Sequence, residues 1–125
     1  MNHRGLRILL VVHGIVTLAA GVVLSLRPGL IPGTVGVRLA PEANIVAYLL
    51  AGAEFGFSFL SLAASRLGDE NALRLVAWSC IAFHGTSAVL EIHAYVQGLG
   101  SAILPNVAAR VIVVALFAYL SRRRA

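Results

Sequence analysis

Four apolar runs, separated by short breaks, divide the chain into about 6–26, 42–65, 72–97 and 102–120. Each is about 19–26 residues, which at ~1.5 Å per helical residue matches the ~30 Å hydrocarbon thickness of a bilayer. The breaks are those of helix ends. Arg27-Pro28-Gly29 stops the first run, because proline lacks an N–H and glycine frees the backbone. Pro41-Glu42 suits the first turn of the second, and Asp69 or Asn71 can cap the third. Gly98-Leu99-Gly100-Ser101 ends the third run, and Pro105 is tolerated in the first turn of the fourth. Leu30 to Pro41 is too short and too rich in Gly and Pro to span. It reads either as an interfacial loop, with Val35, Val37 and Leu39 dipping into the headgroup region, or as a plain linker. The pattern predicts an all-α fold: an integral membrane four-helix transmembrane bundle occupying residues 1–125 as one domain.

Composition agrees with that pattern. The 125 residues are 59% hydrophobic and 12% charged, against roughly 25% charged in soluble domains. All ten basic residues are Arg, for a formal charge of +5. They lie at helix ends and loops with no aromatic-interleaved patch, which fits membrane topology and lipid headgroups and argues against nucleic acid. Seven arginines flank one side of the runs (Arg4, Arg7, Arg66, Arg74, Arg122, Arg123, Arg124) and two the other (Arg27, Arg38). That bias predicts insertion in the cytoplasmic membrane with both termini cytoplasmic. The first run exceeds the ~7–15 residues of a signal-peptide core, so an uncleaved span is expected. Cys80 is the single cysteine, so no intrachain disulfide forms.

Ionisable residues inside spans are costly in lipid and mark an interior, a cavity or a partner. The third run carries His84, Glu91 and His93, with Cys80, His84, Ser87, Glu91 and Tyr95 on one helical stripe. His93 points the other way. Ala47, Glu54, Ser58 and Ser61 share a stripe of the second run, where Gly52 and Gly56 give a GxxxG spacing for close helix approach. His13 stands in the first run and Arg110 in the fourth. Counting inward from a common membrane face, His13, Glu54 and His84 each lie 13 residues deep, and Glu91 and Arg110 each six. Two tiers are therefore expected. The deeper tier joins two imidazoles and a carboxyl, a proton-transfer set if it is functional. If it is structural, the histidines are neutral interhelical hydrogen-bonding residues and Ser58 satisfies Glu54. The shallower tier pairs Glu91 with Arg110, with Asn106 beside them. It is either a buried counter-ion pair or a place where Arg110 receives an anionic or carbonyl group.

Three chemistries fit the deeper tier. A ligand pocket would use Glu54, His84 and His13 for acid–base conversion of a hydrophobic molecule, of isomerase or cyclase type, or for redox. Glu91, Arg110, Ser58, Ser87, Tyr95 and Asn106 would bind that molecule. A two-His-one-carboxylate metal set is conceivable by residue type, yet no local spacing motif supports it, and no metal is expected. Bis-histidine haem b on His13 and His84 would exploit the glycines at Gly14 and Gly85. Cys80 reads as a packing residue, Trp78 as lipid-facing, His93 as interfacial and His3 as part of a frayed terminus. No phosphate loop, CxxC, HExxH or GxSxG motif occurs, so hydrolase and nucleotide-driven activities find no support.

The stretches HGIVTLAAG, Arg27-Pro28, TVGVRLAPE and AYLLAGAEFG give the first half to two-thirds of the chain a pattern that resembles the DoxX-like class of small bacterial four-helix membrane proteins. The resemblance implies a compact bundle associated with redox or quinone-linked membrane systems. It transfers no site residue: His13, Glu54 and His84 stand as departures from it. Taken together, the expectation is a polytopic protein that binds, and converts by acid–base chemistry, a quinone, isoprenoid or lipid. A haem-bearing electron-transfer subunit and an accessory structural subunit are the alternatives. Membrane lipid, the hydrophobic small molecule, and a homodimer or larger membrane complex are the expected partners.

Overall fold

The computed structural model describes residues 3–122, so Arg123 and Arg124 of the C-terminal basic cluster lie outside the described residues. The helices are α1 (His3–Leu26), α2 (Leu30–Thr34), α3 (Asn44–Ala64), α4 (Glu70–Val96) and α5 (Leu104–Ser121). Single 3-10 turns, Pro41–Ala43 and Ser101–Ile103, lead into α3 and α5. Counted with those turns, four helices are long and apolar enough to cross a membrane. No strand occurs among the described residues. The expected span limits hold to within a few residues. His3 opens α1 as an exposed residue rather than fraying from it.

Local chemistry sets the helix ends. Asp69 has extended backbone and its carboxylate accepts from the Asn71 N–H at 3.0 Å, capping α4. Past the other end of α4, Gly98 takes φ +106°, a conformation that favours glycine. Pro105 stands in the first turn of α5, where no N–H is needed.

The four long helices run alternately up and down. α1 lies along α3 and α4 along α5 over most of their lengths, while α1–α5 and α3–α4 contacts are sparser. This places α1 and α4 on one diagonal of the bundle, and α3 and α5 on the other. At the end holding the chain termini, all four helices share one core of Leu6, Leu10, Ala64, Leu73, Val76, Ala77, Cys80 and Phe117. At the opposite, connector end the core is divided. Leu24, Ala47 and Ala51 fill the α1–α3 pair, and Ala88, Ile103 and Val107 the α4–α5 pair. The two pairs are thus held together at one end and separately packed at the other.

The segment between α1 and α3 differs from the expected interfacial loop. Residues 30–34 form a helical turn with Leu30 exposed, and three apolar residues of the segment pack on the protein. Ile31 and Leu39 pack on the α1–α3 cluster, and Val35 packs on the α4–α5 cluster. A short α2 lets this connector strap the two pairs where they share no core.

The exterior is apolar and the interior partly polar, as suits a lipid solvent. Ile8, Val16, Leu49, Phe59, Leu75, Trp78, Val96 and Tyr119 are exposed, whereas His13, Thr17, Glu54, Ser58 and Ser61 are buried. Close approach of α1 to α3 uses Gly14 and Gly21, not the Gly52–Gly56 pair. A Cβ at Gly14 would sit 2.6 Å from Leu62 Cγ and one at Gly21 2.8 Å from the Phe55 ring, while Gly52 and Gly56 meet nothing within 4 Å. Both glycines of the GxxxG spacing face outward, so no helix among the described residues packs on them. Replacing Gly14 by Val is expected to destabilise the fold by about 1–3 kcal/mol, and Gly52→Ala to leave it unchanged. Denaturation with sodium dodecyl sulfate from mild detergent reads both.

Candidate functional site

The site is built around a hydrogen bond along the α1–α4 diagonal. His13 Nε2 lies 2.8 Å from His84 Nε2, with the rings nearly perpendicular at 85°. Beyond His13, its Nδ1 is 2.8 Å from Ser61 Oγ on α3, and Ser61 Oγ is 4.0 Å from Cys80 Sγ. Beyond His84, its Nδ1 is 3.2 Å from Nη1 of Arg110 on α5. Arg110 Nε donates to Glu91 Oε1 at 2.8 Å, and Asn106 Nδ2 donates to the same oxygen at 2.8 Å. Side chains from all four long helices therefore join one chain of contacts.

Donor and acceptor chemistry fixes the protons in that chain. A guanidinium has donors only, so His84 Nδ1 must accept from Arg110. A neutral imidazole then carries its hydrogen on Nε2 and donates to His13 Nε2. His13 Nε2, as acceptor, places its own hydrogen on Nδ1, which donates to Ser61 Oγ. One charged residue on α5 thus sets the tautomer of two histidines on two other helices. Both imidazoles are neutral in this arrangement, since a second proton on either would set N–H against N–H.

Aromatic rings surround the pair. Phe117 stands edge-on to His13 at 5.4 Å and Phe83 edge-on to His84 at 5.1 Å. Phe83 stacks on Phe57 at 4.5 Å, and Arg110 lies over the Phe83 ring at 5.8 Å, a cation–π contact. Water-excluded surroundings strengthen each polar contact and make an unpaired one costly.

The two tiers survive, with one residue changed. The second helix meets His13 through Ser61 rather than Glu54. Glu54 lies seven residues from Ser61 toward the connector end, as Glu91 does from His84, a displacement of about 10 Å. Glu54 therefore belongs to the Glu91 level. The error arose from taking Leu26 and Pro41 as lying on a common plane. Gly14 and Gly21 face Leu62 and Phe55, a register that carries the start of α3 well beyond the end of α1. Ser61 was visible on the Glu54 stripe, but its depth was not.

Glu54 is buried, with 8% of its surface exposed. Ser58, expected to satisfy it, donates instead to the Gly14 carbonyl at 2.8 Å and latches α1 to α3. No hydrogen bond reaches the Glu54 carboxyl among the described residues. Glu91 Oε2 is buried without a partner. The connector-side level thus holds the Arg110–Glu91 pair and, from α3, the Glu54 carboxyl. Ser87 is half-buried and outside the network, and Tyr95 is exposed, as are His93 and Trp78. Cys80 is buried in the shared core.

No group of three or more His, Cys, Asp or Glu side chains among the described residues converges as a metal site. The histidines also lie too close for one haem iron. Two imidazoles bound at metal–nitrogen distances of about 2.0–2.1 Å on opposite sides would stand ~4 Å apart, whereas these Nε2 atoms are 2.8 Å apart and bonded to each other. Comparison of the chain with family models, curated proteins and solved structures gave no match.

Breaking the ion pair from one side is expected to be worse than removing it whole. Arg110→Met leaves Glu91 uncompensated and should cost about 3 kcal/mol, while Glu91→Leu with Arg110→Met should recover most of that. Unfolding of the three proteins in micelles reads the difference, and equal losses would show that the pair is not what matters.

Proposed function

We propose that this protein binds the polar head of a hydrophobic small molecule of the quinone, isoprenoid or lipid class within the membrane, beside Arg110. The observation that carries the reading is the Glu54–Arg110–Glu91 level. It holds the Glu54 carboxyl, which has no hydrogen bond, and the buried unpaired Oε2 of Glu91, whose other oxygen pairs with Arg110. A buried polar atom without a partner is costly and rare, and a ligand's polar head would satisfy Glu91 Oε2 while meeting the free Glu54 carboxyl. The divided core at the same end supports entry between the two helix pairs. His84 and His13 lie at the base of this level, and with Glu54 they supply the acid–base groups for any conversion of the bound molecule. The likeness to DoxX-like proteins, carried by the stretches quoted above, is compatible with this class of ligand.

The same reading places the protein in a bacterial cytoplasmic membrane with both termini on the cytoplasmic side, following its arginine distribution. It forms a homodimer or joins a larger membrane complex there. A second reading, an accessory structural subunit, is favoured by the closed His13–His84–Arg110 network, which joins helices whether or not a ligand is present. A haem-bearing electron-transfer subunit would require the imidazoles to part and to release Ser61 and Arg110.

Titration of the purified protein in nanodiscs with decylubiquinone, farnesol and dodecanoic acid separates these readings. At least one probe should bind, and Glu54→Gln and Arg110→Met should weaken it by about tenfold or more, the scale of one lost charge-assisted hydrogen bond. Absence of binding across the panel, or binding indifferent to both substitutions, would leave the structural reading. A Soret band in the absorption spectrum would instead favour haem.

A further inference from the structure

We propose that His84 Nδ1 is a base masked by Arg110, and that the ligand unmasking it is a lipophilic carboxylic acid; this rests on ligand binding beside Arg110. Arg110 is divided between two duties. Its Nε holds Glu91 and its Nη1 holds His84 Nδ1, while its Nη2 has no hydrogen-bond partner among the described residues. A carboxylate recognises two adjacent guanidinium N–H groups as a fork. The edge formed by Nη1 and Nη2 is such a fork, and Nη1 is the group now spent on His84. The His84 contact, at 3.2 Å, is longer than the 2.8 Å contact to Glu91. An incoming carboxylate therefore competes for Nη1 without disturbing the Glu91 pair.

The exchange balances in atoms and charge. A neutral acid enters between the helix pairs, its O–H bond breaks, and the proton goes to His84 Nδ1, which Arg110 has vacated. The carboxylate so formed pairs with Arg110 Nη1 and Nη2. His84, now doubly protonated, still donates from Nε2 to His13 Nε2, so His13 and Ser61 keep their arrangement. The net charge of the site does not change, which matters where isolated charge is expensive. The groups facing the pair on every side allow this. α1 contributes His13, α3 Ser61 and Glu54, α4 Cys80 and Glu91, and α5 Arg110, with Phe83 and Phe117 as apolar walls. A neutral ester of the same chain length supplies no proton and no carboxylate. It leaves Arg110 on His84.

The test is 15N NMR of histidine-labelled protein in nanodiscs, titrated with dodecanoic acid and separately with methyl dodecanoate. Saturation with the acid is expected to bring the two widely separated ring-nitrogen signals of His84 together, as both nitrogens become protonated, and the ester is expected to leave them apart. His84→Phe should weaken the acid by about tenfold relative to the ester. Acid that binds while His84 stays neutral would overturn this proposal and leave the ligand-binding reading standing, as would equal loss of acid and ester affinity in His84→Phe. Failure of the acid, decylubiquinone and farnesol alike to bind would overturn both.

Discussion

A guanidinium cannot accept a hydrogen bond, and the polar interior of this bundle follows from that. Arg110 donates to His84, His84 to His13 and His13 to Ser61, so a single direction of donation crosses four helices. Glu91 and Asn106 anchor Arg110 from the other side. In lipid, helices gain little from burying apolar surface against one another, and polar contacts and small residues decide which faces meet. Here the two means are divided by place. Gly14 and Gly21 bring α1 against α3, while the histidine–arginine chain ties that pair to α4 and α5.

The same division explains the asymmetry along the bundle axis. Toward the termini a shared core of leucine, alanine, valine and Phe117 holds all four helices. Toward the connectors each pair has a small core of its own, and the Arg110–Glu91 pair and Glu54 stand at that level. Glu91 pairs with Arg110, with Glu54 at about the same level, where apolar packing no longer joins the pairs. The proposed entry of a hydrophobic molecule would use this level, since rigid packing on all sides would leave no way in.

Much of this was legible in the sequence, for reasons that differ by residue. Span limits were readable because Pro28, Pro41, Asp69 and Gly98 act through local backbone chemistry, which needs no knowledge of neighbours. The Glu91–Arg110 level was readable because the loop between α4 and α5 is short and fixes their register. Glu54 was misplaced because the connector from Arg27 to Ala40 is long enough to shift α3 by about two turns, and no pattern along the chain records that shift. Gly52 and Gly56 show a related limit: spacing identifies a face of small residues but not what it faces. Ser61, a small hydroxyl on an already polar stripe, gave no signal of its own until its depth was known.

The most direct test of the donation chain is the tautomeric state of the two histidines in the ligand-free protein, read from ring 15N shifts in lipid nanodiscs at neutral pH. The account requires His84 to carry its hydrogen on Nε2 and His13 on Nδ1, both rings neutral. Hydrogen on His84 Nδ1, hydrogen on His13 Nε2, or a doubly protonated ring at either position would contradict it.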